Sequence, residues 1–277
     1  MQSRRGVIAA GILLVAGLFA CRLLRADEGE DYQKRAEALS ILKRIAAEYE
    51  VRLDDTHTAT RESVPAVRWT NSISGVTDAA LFIWMHENRP VAVGSMVWLG
   101  DAGVSREFQS LSSKPLEAHR AGKLAWNPRL AGIAFQPIPG APAPATTVRQ
   151  RLSQMKELAR MFRAEAVKGP PAYSEDSVWK LRLNSQPLLQ YRQPDAPDHE
   201  GAIFAFAMDT DPEVLLLIEN RVRMGKTGWE CELAPVTGWS AKAWFKDKFI
   251  WEQERQHPAA DPTLPYFVHG PIPVKHD

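Results

Sequence analysis

Acid and imidazole stand close together in this chain at Asp54-Asp55-Thr56-His57. A carboxylate and an imidazole within four residues can share a proton or hold a cation, which makes Asp54, Asp55 and His57 the candidate binding residues. The same residue types also make turns, and a solvated loop between a helix and a strand is the stronger reading. His86-Glu87 begins like a zinc-protease helix, but no histidine follows four positions after His86, so that reading fails. Gly94-Ser95-Met96-Val97-Trp98 lacks the closing glycine of a nucleophile elbow. Neither a P-loop nor a Gly-x-Gly-x-x-Gly run is present. We assign no catalytic residue, no metal ligand and no cofactor from these residues.

Cysteine chemistry is limited to Cys21 and Cys231, too few for a disulfide framework or a cysteine-based metal site. Cys231 alternates with glutamates in Trp229-Glu230-Cys231-Glu232-Leu233. It reads as a small half-buried strand residue whose flanking carboxylates oppose thiolate formation. Cys21 belongs to a different context. Arg4 and Arg5 precede an apolar run from Gly6 to Ala20, shorter than the ~17–25 residues of a spanning helix and suited to a signal-peptide core. Leu18-Phe19-Ala20-Cys21 looks like a lipobox, although Phe19 stands where a small residue is preferred, so Cys21 is a candidate for lipidation. Residues 1–26 are therefore read as a leader, and the chain as exported: periplasmic, in the cell envelope or secreted. Contact with membrane would come only through the leader or a lipid.

These side chains must be positioned by elements, and the elements are announced by a duplication. Pro65-Ala66-Val67-Arg68-Trp69 matches Pro187-Leu188-Leu189-Gln190-Tyr191 at an offset of 122. Without a gap, Ala80-Leu81-Phe82-Ile83-Trp84 falls on Ala202-Ile203-Phe204-Ala205-Phe206, and Pro90 on Pro212. Self-similarity at a fixed spacing sets the architecture before any motif does. Apolar residues at three- and four-residue spacing predict an amphipathic helix over Tyr32–Tyr49 and another over Val148–Ala166, the latter opened by a capping box at Thr147 and Gln150. Strands are predicted at Leu81–Met85 and Val91–Leu99, joined by a turn, and in the second copy at Phe204–Met208 and Val214–Ile218. Further strands are read at Arg106–Ser110, Lys180–Leu183, Trp229–Leu233 and Ala243–Trp251, with Leu111 falling on Leu233.

The expected fold is thus α+β and β-dominated: two pseudo-repeats, each an amphipathic helix followed by antiparallel strands that include a hairpin. Residues 27–135 form the first half and 148–256 the second. A Pro-rich connector at 136–147 is expected to run extended without ladder pairing, and a Pro-rich tail at 257–277 to pack weakly. Nearly continuous apolar strands favour close association of the halves.

The duplication also weighs the remaining candidates. Asp209-Thr210-Asp211 could hold a divalent metal, but its aligned partner is Glu87-Asn88-Arg89. A polar turn explains both copies and metal binding explains one. Trp69 and Trp84 align with Tyr191 and Phe206, which speaks for core packing, whereas Trp126, Trp239, Trp244 and Trp251 are less constrained and could form a ligand platform. The formal charge of +1, or −1 once Arg4 and Arg5 are set aside, gives no basic stripe, and nucleic acid is excluded as a partner.

The segment Gln186 to Glu219, with its Gln186-Pro187-Leu188 start and Asp211-Pro212-Glu213-Val214-Leu215-Leu216-Leu217-Ile218-Glu219 finish, resembles a family of exported bacterial proteins with no known activity. The resemblance covers that part of the second half and implies no site residues. The expected function is a non-catalytic envelope protein acting by binding or assembly on an unknown protein or small ligand. The alternative is a hydrolase or small-ligand binder with a cleft between the two halves.

Overall fold

The computed structural model describes residues 33–71, 76–167, 178–193, 199–256 and 260–274. The leader read at 1–26, with Cys21, lies outside the described residues. Residues 33–47 form helix α1, whose Leu42, Ile45 and Ala46 are buried at the expected spacing. The helix stops before the β-prone Tyr49-Glu50-Val51, which opens strand β1 (Tyr49–Arg52).

The protein is β-dominated and builds two antiparallel sheets. The first contains β1, β2 (Thr58–Arg61), β3 (Val67–Asn71), β4 (Val76–His86), β5 (Arg89–Trp98), β6 (Val104–Ser110), β7 (Glu117–Arg120) and β8 (Lys123–Trp126). Their order is β6-β5-β4-β2-β1-β7-β8, with β3 pairing on β4. After the two-residue strand β9 (Gln136–Pro137) and helix α2 (Val148–Ala159), the second sheet begins. It contains β10 (Phe162–Val167), β11 (Val178–Leu183), β12 (Leu189–Arg192), β13 (Glu200–Met208), β14 (Asp211–Arg223), β15 (Lys226–Pro235), β16 (Ser240–Phe245) and β17 (Lys248–Gln253). Here the order is β15-β14-β13-β11-β10-β16-β17, with β12 on β13.

Pairings in the two sheets correspond position by position. Val67 opposite Leu81, Leu81 opposite Ser95 and Thr60 opposite Met85 in the first sheet stand 122 positions before Leu189 opposite Ile203, Ile203 opposite Leu217 and Arg182 opposite Ala207 in the second. Bulges fall at Trp84/Met85 and at Phe206/Ala207. The spacing changes to 125 at the next strand: Ser95 faces Glu107, whereas Leu217 faces Glu232. The β14–β15 ladder continues through three additional pairs before its turn, so Leu111 corresponds to Val236, not to Leu233 as the constant offset predicts.

Four other expectations are corrected. The second helix ends at Ala159, and Phe162–Val167 is a strand. Phe162 and Ala166 continue the helical stripe from Ala159, but Phe162, Ala164 and Ala166 also alternate with Arg163, Glu165 and Val167, and ladders on both sides decide for period two. The connector is not free of ladder pairing, because Gln136 and Pro137 pair with Cys231 and Glu230 at the sheet edge, where proline is tolerated. The tail does not pack weakly: Tyr266–Ile272 forms β18 on β6, with Tyr266 and Phe267 buried. The expected single strand at Ala243–Trp251 is a hairpin, β16 and β17, turning at Lys246 with φ 55°.

Alternation along the central strands decides the layering. Leu81, Ile83 and Val93 from the first sheet share one apolar cluster with Ile203, Ala205, Leu215 and Leu217 from the second. The intervening Phe204, Phe206, Leu216 and Ile218 face the other way and pack on Met155, Leu158 and Ala159 of α2. Trp84, also turned from the seam, joins Tyr49, Phe108 and Trp126 in an aromatic cluster on the opposite face of the first sheet. The two sheets therefore meet along a seam whose centre is apolar. Each fully buried Leu or Ile there contributes roughly 1.5–3 kcal/mol. That exceeds what a buried ion pair adds net of desolvation, so burial, not charge, holds the sheets together.

Candidate functional site

The predicted cluster lies in the loop between β1 and β2. Asp54 Oδ1 accepts hydrogen bonds from the Thr56 amide and hydroxyl at 2.8 Å and from the His57 amide at 2.9 Å, and the His57 ring Nδ1 lies 2.8 Å away. These bonds, those from Thr56 first, hold the Asp54 carboxyl well below the usual carboxylate range. Asp54 and Asp55 border a surface hollow of about 290 Å³ with Arg52 and Arg129, and His57 is not part of its lining. The His57 ring instead meets His86 edge-on, with centroids 5.3 Å apart. All three predicted residues are exposed, and the geometry of Asp54 is that of a side chain closing its own turn. Cys231 is half-buried in β15, its thiol pushed up to about 12 by burial and then by Glu232 and Glu230.

Polar groups converge more deeply at the seam. At one end the seam is filled. Arg89 at the start of β5 bonds Glu219 on β14 at 3.0 Å, joining the two sheets, and Arg221 reaches the other oxygen of Glu219 at 2.7 Å. Tyr191 Oη donates to Glu219 at 2.7 Å, and the Arg89 and Arg221 guanidiniums lie over the Phe135 ring. Gly201 makes this possible. A Cβ there would stand 2.6 Å from Tyr191 Oη and 2.8 Å from Glu219 Cγ. Arg221 and Arg223 also reach Glu230, extending the network along the β14–β15 edge.

Another stretch of the seam is open. A cavity of about 260 Å³ lies between the sheets, bounded by Trp69, Val97 and Glu107 from the first and by Asp211, Glu213 and Trp239 from the second, with Tyr266 and Val268 of β18 as a further wall. The elements explain the placement. β3 bulges between Trp69 and Asn71, and Asn71 Nδ2 donates to Asp211 Oδ2 at 3.3 Å, while Thr210 Oγ1 donates to the Thr70 carbonyl at 2.9 Å. Tyr266 Oη donates to Glu107 at 3.3 Å. Burial and then the carboxylates of Glu107, Glu213 and Asp211 push the Tyr266 phenol well above its ordinary range. Trp69 is 5% exposed, and its indole N–H finds no hydrogen-bond partner. Arg255 lies over the Trp239 ring at 4.8 Å.

Sequence reasoning read Asp211 as a turn residue, after weighing it as half of a metal pair, and Trp69 only as core. Glu107 and Glu213 were not singled out, and Trp239 was one of four unconstrained tryptophans. A local signal did exist for Glu213, an acid at the inward end of an otherwise apolar strand beside a proline. Among the described residues, no three His, Cys, Asp or Glu side chains converge closely enough to hold a metal ion. Comparison with family models, with curated proteins and with solved structures returns no match.

Proposed function

We propose that this chain is an exported, non-catalytic binding protein of the cell envelope, built as two pseudo-repeats, each a helix followed by antiparallel strands, and that it takes a small ligand into the cavity between its sheets. The carrying observation is that cavity: buried Trp69, Glu213 and Tyr266 with half-buried Glu107, Asp211 and Trp239 lining a space in an otherwise closely packed seam. Matching strand pairings at a spacing of 122 support the duplication, as do the helices that precede β1 and β10. The leader at 1–26 supports export. Carboxylates among aromatic walls are also what glycoside cleavage uses, so a hydrolase is the second reading and would appear as turnover of the bound compound.

The test is a thermal-shift screen of small molecules against the wild type and Val268→Phe. Val268 stands on β18 opposite Glu107, and the substitution extends a ring into the cavity. A true ligand at a hundred times its Kd stabilises by about 2.7 kcal/mol, a rise of roughly 5–10 °C in the wild type, and leaves Val268→Phe unmoved. If every stabilising compound acts equally on both proteins, the cavity is not a binding site. Recovery of the native protein from its host's cytosolic fraction would remove the envelope part of the reading.

A further inference from the structure

On the faces turned from the seam, matching strand pairings enclose spaces of opposite character. Tyr49 opposite Arg120, and Arg120 opposite Lys123, stand where Phe162 faces Phe245 and Phe245 faces Lys248. Arg106 opposite His269 stands where Cys231 faces Gln136, and Ala118 opposite Trp126 where Ala243 faces Trp251. In the first sheet this space is filled and polar. Arg106, 1% exposed, donates to the Tyr49 hydroxyl at 3.1 Å and to the Gly270 carbonyl. His269 Nδ1 lies 3.2 Å from the same hydroxyl, and the Arg120 guanidinium lies over the Tyr49 ring.

In the second sheet the corresponding positions leave a pocket. Cys231 in place of Arg106 withdraws a long side chain, and Phe162 and Phe245 in place of Tyr49 and Arg120 withdraw polar groups. What remains is a space of about 140 Å³ bounded by Phe162, Cys231, Leu233, Phe245, Ile250 and Trp251. The two tryptophans differ accordingly. Trp126 is fully buried and donates its N–H to the Leu264 carbonyl at 3.0 Å, whereas Trp251 is half-buried at the pocket. An apolar cavity of about 150 Å³ is enough to hold a molecule of benzene's size.

The mouth supplies a charge. Lys248 stands opposite Phe245, and cross-strand partners share a face, so its stem runs beside the Phe245 ring and its ammonium reaches solvent. Glu232 is the other charged residue of the lining. Strand alternation turns it away from Cys231 and Leu233, and the Ala134 N–H donates to it at 3.2 Å. We infer that the pocket takes a small organic acid whose apolar body, a ring or chain of about six carbons, fills the space while Lys248 holds its carboxylate at the mouth. A neutral ring would fill the space without using the lysine, and an ammonium compound would set like charge beside it. The pocket shares no lining residue with the cavity at the seam, so either site can bind without the other.

The experiment is calorimetric titration of the full chain with butanoate, hexanoate and hexylammonium. Hexanoate is expected to bind about fifteenfold tighter than butanoate, since each buried methylene contributes about fourfold. It should bind about tenfold tighter than hexylammonium, whose charge meets Lys248 with the wrong sign. Lys248→Gln, at an exposed position where folding is not at risk, should weaken hexanoate about threefold and leave hexylammonium no weaker. Cys231→Leu refills part of the space and should abolish hexanoate binding. Val268→Phe, which blocks the seam cavity, should leave hexanoate binding unchanged. Silence from hexanoate, equal binding of butanoate or hexylammonium, or wild-type affinity in Cys231→Leu overturns the inference. Loss of hexanoate binding in Val268→Phe overturns it too, by placing the acid at the seam. Should Cys231→Leu fail to fold, Lys248→Gln and Val268→Phe still decide.

Discussion

Glu232 shows how one side chain carries the pH response of an edge. It corresponds in register to Glu107 of the cavity, but it is covered by different neighbours, and burial pushes its carboxyl up to about 7. Hydrogen bonds from the backbone at Ala134 and Leu233 oppose the shift without cancelling it. A carboxyl raised in the folded state favours folding while protonated. Its contribution is complete below the unfolded value of 4.5 and is lost as pH climbs to about 7. Glu232→Gln should therefore match the wild type near pH 4.5 and exceed it at pH 8, by on the order of 1–3 kcal/mol. Urea midpoints at the two pH values check this, and parallel profiles for the two proteins would refute it. At this scale the sequence was partly legible. The flanking acids of Cys231 were enough to foresee an inert thiol. Asp54 was read as turn or site, and its bonds to Thr56 and His57 are those of a turn. Glu107, Asp211 and Glu213 were not legible as a group, because only the meeting of β6 with β14 brings them to one space.

Elements were legible where one periodicity prevailed and not where two competed. The central hairpins β4–β5 and β13–β14 lie where apolar runs and polar turns placed them. Phe162–Val167 satisfied a helical stripe and a strand alternation equally, and only its neighbours chose between them. Gly201 is the clearest example of an element shaped by a contact. Its backbone is ordinary strand, yet the Tyr191 ring and the Glu219 stem leave no room for a methyl group. Gly201→Ala should displace Tyr191, break its 2.7 Å bond to Glu219 and cost about 2–4 kcal/mol, the combined scale of overpacking and a lost charged hydrogen bond. A denaturation midpoint unchanged from the wild type would show that the strand yields more readily than the packing suggests.

For the molecule as a whole, the shared seam matters more than the chain order of its parts. Leu81, Ile83, Ile203, Leu215 and Leu217 are at most 1% exposed, and exposing either sheet alone would uncover the apolar face of the other. Unfolding should accordingly be one event. Tryptophan fluorescence, reporting from Trp69, Trp84 and Trp126 in the first sheet and Trp229 in the second, should share its midpoint with the far-ultraviolet circular dichroism. Two separated transitions would mean that the halves stand independently. The close association of halves was legible in the continuous apolar strands. The way each sheet borrows an edge was not, because β9 and β18 are short, Pro-containing segments that resemble loops until they are paired.

That borrowing has a consequence in time. Tyr266 bonds Glu107 across 159 positions, and β18 covers an edge of β6 that is otherwise bare backbone. During synthesis the first sheet can assemble its strands β1 to β8 and still wait with a sticky flank until residues 266–272 arrive. Whatever escorts the growing chain must shield that flank for the whole interval. The wall of the cavity that Tyr266 and Val268 supply is set in place only when the wait is over.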